Sequence, residues 1–275
     1  MNHIHWRILG CLLSLLAGYA TATWLRQHPQ PLPKQNPPLT TLPAPVHSKV
    51  APNNASPILV VVIDDMGFNL SVAQHFLALA PNITVAIIPH SPHATAVAQM
   101  AHNKGHEILV HLPMQPINQQ QAEPDALRTD MDPTTMQHLF VAAVQQVPHA
   151  IGFNNHTGSR FTSDRAAVQR FLSIVPKSWL ILDSRTSGTS QLASVAKDSG
   201  FKTLQRNIFL DNNKELTAIL RQLEQCWLLA RKQGYCLAIG HPYPETASAI
   251  QHFFQRHPLA KKQLQPISAL IKPNG

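Results

Sequence analysis

Three polar clusters sit at the ends of apolar, β-branched runs. Ile58-Leu59-Val60-Val61-Val62-Ile63 leads into Asp64-Asp65, Ile108-Leu109-Val110 leads into His111, and Leu237-Ala238-Ile239-Gly240 leads into His241-Pro242. Carboxylates and imidazoles ligate divalent metals, and imidazoles carry protons near neutral pH. Adjacent carboxylates repel unless a cation lies near them. Successive strand residues point to opposite faces, so one can bind metal while the other acts as base. Asp65, His111 and His156, the last in Gly152-Phe153-Asn154-Asn155-His156-Thr157-Gly158-Ser159, make a set of two histidines and one carboxylate. Zinc takes such a set with water in the open position, and iron, manganese, cobalt or nickel can use it too. His241 suits a general acid for a leaving group. Asp183, which ends Leu180-Ile181-Leu182, is the carboxylate expected to orient it. Arg128 and Arg185 are candidates to hold an acidic group or to steady Asp64, and with Asn154 and Asn155 they form the expected substrate contacts. This is the equipment of a metal-assisted hydrolase.

The chain holds 16 histidines, so spacing alone selects nothing. His90-Ser91-Pro92-His93 has the spacing of a ligand pair. The proline is poor helix geometry and no carboxylate lies close in sequence, so the pair is set aside.

An unbroken apolar run followed by polar residues reads as a buried parallel strand. In α/β folds the C-terminal ends of such strands gather ligands and chemistry. The pattern predicts strands over 58–63, 84–88, 107–111, 150–153, 179–183, 202–209 and 236–240, with a short last one near 263–267. Helices are expected over 71–79, 93–104, 132–146, 164–174 (capped by Ser163 or Asp164), 189–198, 214–233 and 244–256. A long loop, 112–131, separates the third strand from its helix, and His156 falls in a turn after the fourth. The fold class is therefore α/β: an irregular (β/α) barrel of about seven β/α units. No glycine-rich dinucleotide or phosphate-binding motif follows the first strand, which argues against a nucleotide fold.

Residues 57–275 form this domain. Before it, 26–56 is a proline-rich linker, extended and without periodic apolar pattern. Ile8 to Leu25 carries no charge and is rich in Leu, Ala and Gly. It reads as a signal peptide, with Ala20-Thr21-Ala22 as cleavage site, or as a signal anchor that would tether the chain to the inner membrane. Either places the protein in the periplasm or cell envelope. The net charge is +8 and the pI about 9.7. The basic residues are scattered, with no aromatic-and-basic platform or helix-turn-helix signature, which argues against a nucleic-acid partner. Of the three cysteines, Cys11 belongs to the export segment. Cys226 and Cys236 are either a disulfide, which an exported protein permits, or two buried thiols.

Val60-Val61-Val62-Ile63-Asp64-Asp65-Met66-Gly67 resembles the first motif of polysaccharide deacetylases, and Gly105-His106-Glu107-Ile108-Leu109-Val110-His111 resembles the second. Together with His111-Leu112-Pro113-Met114, the Gly152–Ser159 segment, Leu182-Asp183-Ser184 and Gly240-His241-Pro242, the set is similar to the divergent polysaccharide deacetylase family. The resemblance implies a polysaccharide deacetylase-like (β/α) barrel and a divalent metal, usually zinc. It implies Asp64 as general base, Asp65 and His111 as metal ligands, and His241 as general acid with Asp183 beside it. Ordinary members carry a second histidine shortly after the first. Here that stretch is Leu112-Pro113-Met114-Gln115-Pro116, so His156 is taken as the third ligand. The implied function is an exported carbon–nitrogen hydrolase that removes acetyl groups from N-acetylated sugars of an envelope polysaccharide or a peptidoglycan-like glycan. The alternative is an inactive envelope protein that keeps the fold and binds or scaffolds glycan.

Overall fold

In the computed structural model, residues 56–118 and 123–271 are described. The export segment, 1–25, and all but the last residue of the linker lie outside them. No helix among the described residues is long and apolar enough to cross a membrane.

Eight strands form one parallel sheet: β1 (Ile58–Met66), β2 (Thr84–Ile87), β3 (Ile108–Met114), β4 (Gly152–Thr157), β5 (Leu180–Asp183), β6 (Lys202–Gln205), β7 (Ile208–Phe209) and β8 (Tyr235–Gly240). Their order is β6-β5-β4-β3-β2-β1-β8-β7, a curled half-barrel whose open seam lies between β6 and β7. The chain crosses that seam in two residues. The Arg206 N–H donates to the Asp183 carbonyl on one side, and the Asn207 N–H donates to the Leu237 carbonyl on the other. The predicted strand 202–209 is therefore split, because its two halves serve opposite edges.

The connecting helices are α1 (Leu70–Leu79), α2 (Ala94–Asn103), α3 (Pro133–Gln146), α4 (Arg165–Leu172), α5 (Leu192–Asp198), α6 (Leu216–Gln233), α7 (Pro244–Arg256) and α8 (Pro258–Lys262). Their starts follow local chemistry. Asn69 accepts from the Val72 N–H, Asp132 from Thr134 and Thr135 ahead of Pro133 in the first turn, and Asp164 from Ala167. Gly234, at φ 99°, ends α6.

Alternation along the strands divides the apolar residues into two cores. Leu59, Val61 and Ile63 of β1 face the helices, whereas Val60 and Val62 join Ala86, Leu109, Leu180, Leu182, Leu237 and Ile239 inside the barrel. The bottom of the barrel is plugged by Ile267, whose N–H donates to Thr84 Oγ1. The strand expected near 263–267 is absent. A single bridge, Leu59 to Leu264, and a 3₁₀ turn over Ile267–Leu270 take its place. Gly152 has no room for a side chain: a Cβ there would lie 2.0 Å from the Leu180 carbonyl oxygen. That close approach lets β4 and β5 pair one level below the site.

Cys226 on α6 and Cys236 on β8 are joined in a disulfide, with both residues buried. The bond closes a loop of sequence separation 10. Chain-entropy arguments give such a loop about 2–3 kcal/mol of stabilisation. Denaturant unfolding of the oxidised and reduced protein is expected to differ by that amount. Equal stabilities would mean that the reduced α6–β8 turn is already ordered in the unfolded chain.

Candidate metal centre

The site lies where the inward-facing columns of the barrel become polar. Val60 and Val62 are followed at the same parity by Asp64, Leu109 by His111, Gly152 by Asn154 and His156, Leu180 and Leu182 by Ser184, and Leu237 and Ile239 by His241. Register sets their heights. Ile63 pairs with Gly240, His111 with Asn154, and Pro113 with His156. His156 therefore stands on β4 itself and not in a turn beyond it, since β3 runs on to Met114 and holds β4 beside it.

Asp65 has the wrong parity for this face and reaches it through a bulge. Between Ile63–Val85 and Met66–Ile87, both Asp64 and Asp65 lie opposite the single residue Ala86. Asp65 adopts φ 55°, in the left-handed region. Both carboxylates then converge on His111 Nε2, with Asp65 Oδ1 at 3.1 Å and Asp64 Oδ2 at 3.6 Å.

Asp65 Oδ1, His111 Nε2 and His156 Nδ1 form a triangle with sides of 3.0, 3.1 and 3.1 Å. They are a candidate ligand group for one ion. Ligand atoms each about 2.0–2.1 Å from a tetrahedral zinc lie about 3.3 Å apart, so the triangle matches one face of such a site. Asp65 Oδ1 is sealed from solvent and has no aligned hydrogen-bond donor, although both nitrogens are close. Three atoms of ligand type thus crowd one point, and His156 Nδ1 is also within hydrogen-bond distance of His111 Nε2.

The second layer is well connected. His111 Nδ1 lies 2.9 Å from Asn154 Oδ1, and Asn154 Nδ2 donates to Asp64 Oδ1 at 2.8 Å and to Ser184 Oγ at 3.0 Å. Those donations fix the Asn154 amide, so His111 Nδ1 carries the proton and Nε2 keeps its lone pair for the ion. His241 Nε2 lies 3.8 Å from Asp65 Oδ2. Asp211 accepts from His241 Nδ1 at 2.8 Å, from the His241 backbone N–H at 2.6 Å and from Thr246 Oγ1 at 2.7 Å.

Charge follows from this packing. Burial pushes the Asp64 carboxyl up despite attraction to His111 and His241. Burial acts the same way on Asp65, but contact with His111 and His156 outweighs it and holds Asp65 well below the usual carboxylate range. The imidazoles go the other way. Burial opposes charge on His156, yet Asp65 and Glu123 push it up to about 10. His241 is likewise raised against burial by Asp211, Asp64 and Asp65. Two clustered carboxylates draw positive charge to this point.

The expectations for Asp183, Asn155, Asn154, Arg128 and Arg185 are corrected. Asp183 has outward parity. Its carboxylate accepts from the Arg185 N–H, Ser190 Oγ and the Ala193 N–H and so ties β5 to the start of α5, while Asp211 holds His241. Asn155 is buried, donating to the Thr157 carbonyl and accepting from the Ser184 N–H, and Asn154 positions other side chains, so neither is free for substrate. Arg128 is exposed and paired with Asp130. Arg185 lines a groove with Ser194, Lys197 and Arg206 on the α5 side. His90 does have carboxylate neighbours: the 115–131 loop folds back to bring Glu123 and Asp125 to it, while His93 starts α2. Asp211 was missed, though it follows the apolar Ile208-Phe209-Leu210 run as Asp64 follows its own.

A curled parallel half-barrel of this strand order is the fold of polysaccharide deacetylase-like proteins. The model of the divergent polysaccharide deacetylase family matches residues 61–271, and the chain belongs to that family. It is 38% identical over 216 residues to the uncharacterized protein YibQ of Escherichia coli (strain K12), covering 78% of this chain and 68% of that protein. It is also 38% identical over 194 residues to a Haemophilus influenzae protein, covering 70% and 69%. The crystal structure of ATU2773 from Agrobacterium tumefaciens C58 superposes with a TM-score of 0.72 at 21% identity, over 78% of this chain and 89% of that one. BA3943 from Bacillus anthracis, a CE4 family pseudoenzyme, shares the fold at a TM-score of 0.50 and 12% identity, over 81% and 67%.

Elemental analysis of the purified protein is expected to give close to one transition-metal ion per chain, lost in His156→Ala. Asn154→Ala keeps all three ligands but releases His111, and about 10- to 100-fold weaker ion affinity is expected. Full retention of the ion by His156→Ala would assign the third ligand elsewhere.

Proposed function

We propose that this protein is an exported, metal-dependent hydrolase that deacetylates N-acetylated sugars of an envelope polysaccharide. The observation that carries the reading is the convergence of Asp65, His111 and His156 on one point, with Asp64 and His241 beside them. A divalent cation there, zinc by the donor set, supplies Lewis acidity toward a carbonyl and makes water more acidic.

The rest of the chemistry belongs to the chain. Asp64, held by Asn154, takes the proton of the attacking water. His241, held by Asp211, donates a proton to the sugar nitrogen as the C–N bond of the acetamide breaks. The products are acetate and a free amino sugar. A cleft of roughly 280 Å³ opens beside Asp65, with Met66, Phe68, Val72, Pro242 and Tyr243 in its walls. Its mostly apolar lining and single carboxylate suit a sugar ring presenting an acetyl group.

Export is supported by the uncharged Ile8–Leu25 segment, by the proline-rich linker, and by the Cys226–Cys236 disulfide, which persists in oxidising compartments. The net charge of +8 suits an anionic envelope polymer.

One observation favours a second reading, an inactive glycan-binding or scaffolding protein. The segment after His111 lacks the second histidine of ordinary polysaccharide deacetylases, and the fold also houses a pseudoenzyme, BA3943.

Acetate release from N-acetylated glucosamine oligomers and peptidoglycan fragments separates the two. Turnover is expected, with Asp64→Asn and His241→Ala each lowering kcat by about 10²- to 10⁴-fold. Asp211→Asn is expected to fall in the same range by misorienting His241, whereas Asp183→Asn should lower stability and leave kcat within a few-fold. Glycan binding without acetate release in the metal-loaded wild type would establish the scaffolding reading.

A further inference from the structure

Each of the three imidazoles at the barrel mouth has one nitrogen toward the centre and the other toward an oxygen. For His111 that oxygen is Asn154 Oδ1, and for His241 it is Asp211 Oδ1. For His156, whose Nδ1 faces Asp65 and His111, it is Glu123 Oε1, 3.5 Å from Nε2. Glu123 is the exception in origin. It comes from the loop after β3 and not from a strand, so register does not place it.

Two features do. The loop returns beside β3 through paired backbone bonds: the Gln115 N–H donates to the Leu127 carbonyl, and the Leu127 N–H donates to that of Pro113. His90, on the β2–α2 turn, holds the far side. Its Nε2 lies 3.6 Å from Glu123 Oε2, and its Nδ1 lies 3.0 Å from Asp125 Oδ2. Both His90 nitrogens thus face carboxylates, which fits a strut between two loops better than a ligand with a lone pair to offer. Glu123 Oε2 is sealed from solvent and has no hydrogen-bond partner, so His90 meets it only as a charge partner.

We infer that Glu123 is a positioning residue for the ion site: it accepts the Nε2 proton of His156 and so keeps the Nδ1 lone pair aimed at the point shared with Asp65 and His111. His90 in turn steadies Glu123. This rests on the metal-centre reading above. An imidazole without such a partner exchanges tautomers and rotates, and ligand-orienting carboxylates commonly contribute ten- to a hundredfold in metal affinity. At 3.5 Å the contact is longer than a formed hydrogen bond, and contacts of this kind commonly tighten on loading.

The test is zinc affinity of the full-length protein by chelator competition, with the cobalt(II) absorption spectrum as a second readout of ligand geometry. Glu123→Ala is expected to bind zinc about 10- to 100-fold more weakly, with an altered cobalt spectrum and an unchanged melting temperature in the metal-free form. Glu123→Gln, which keeps an oxygen acceptor but no charge, is expected to recover most of the affinity, and His90→Ala to lose a smaller part of it. Affinity within twofold of wild type in Glu123→Ala would overturn the inference while leaving the metal centre intact. Equal losses in Glu123→Gln and Glu123→Ala would also overturn it, since the effect would then be one of charge and not of orientation. A wild type that takes up neither zinc nor cobalt would overturn the metal-centre reading and this inference with it.

Discussion

Asp64 and Asp65 are neighbours in the chain, and strand alternation should send one into the barrel and the other into the helical layer. The bulge opposite Ala86 defeats that alternation and turns both toward His111. Two carboxylates thus meet above an apolar interior in which Val62, Leu182 and Ile239 are fully buried. Such a pair is repulsive on its own, and the surrounding site acts to supply positive charge. His156 and His241 are both pushed toward their protonated forms, and Asp65 toward its ionised one. A cation bound at the centre would meet the same field. The left-handed Asp65 backbone is a cost of the arrangement, of the kind that functional sites accumulate and the surrounding structure sustains.

The second layer decides which atoms are available for chemistry. Asn154 is held in one amide orientation by Asp64 and Ser184 and so fixes the tautomer of His111. Asp211 collects three donors and so fixes His241. Both buried partners are fully engaged, and a polar network of that kind rigidifies a site where a half-satisfied one would weaken it. Gly240 contributes by omission, since a Cβ there would sit 3.3 Å from Asp211 Oδ2.

The strands, their parallel arrangement and the polar residues at their ends were legible because apolar β-branched runs report burial on both faces. Asp64-Asp65, His111 and His241 emerged from that pattern directly. Asp183 was misassigned although the sequence held the corrective signal: Leu180 and Leu182 share one parity, and Asp183 has the other. Asp211 could have been found by treating Ile208-Phe209-Leu210 as one more run of the same kind. Glu123 could not, because its place depends on the return path of a loop, which no periodicity encodes. The pairing of Cys226 with Cys236 likewise awaited the packing of α6 against β8.

Register also accounts for the missing second histidine. In ordinary polysaccharide deacetylases that histidine follows the first within a few residues. Here β3 stays extended through Leu112-Pro113-Met114, with Met114 bridged to Leu127 on the loop that returns beside it. The inward position of that stretch is Pro113, level with His156, and a proline side chain has no donor to give, while Leu112 and Met114 face the helices, so this stretch cannot supply the ligand. The neighbour strand can. Pro113 pairs with His156, two residues beyond Asn154 and therefore on the same inward face. His156 thus offers a third donor from one ladder step away, on β4, at 3.1 Å from His111 Nε2. The two readings of the function therefore part at His156: the altered motif counts against turnover only if this imidazole fails to hold an ion with Asp65 and His111.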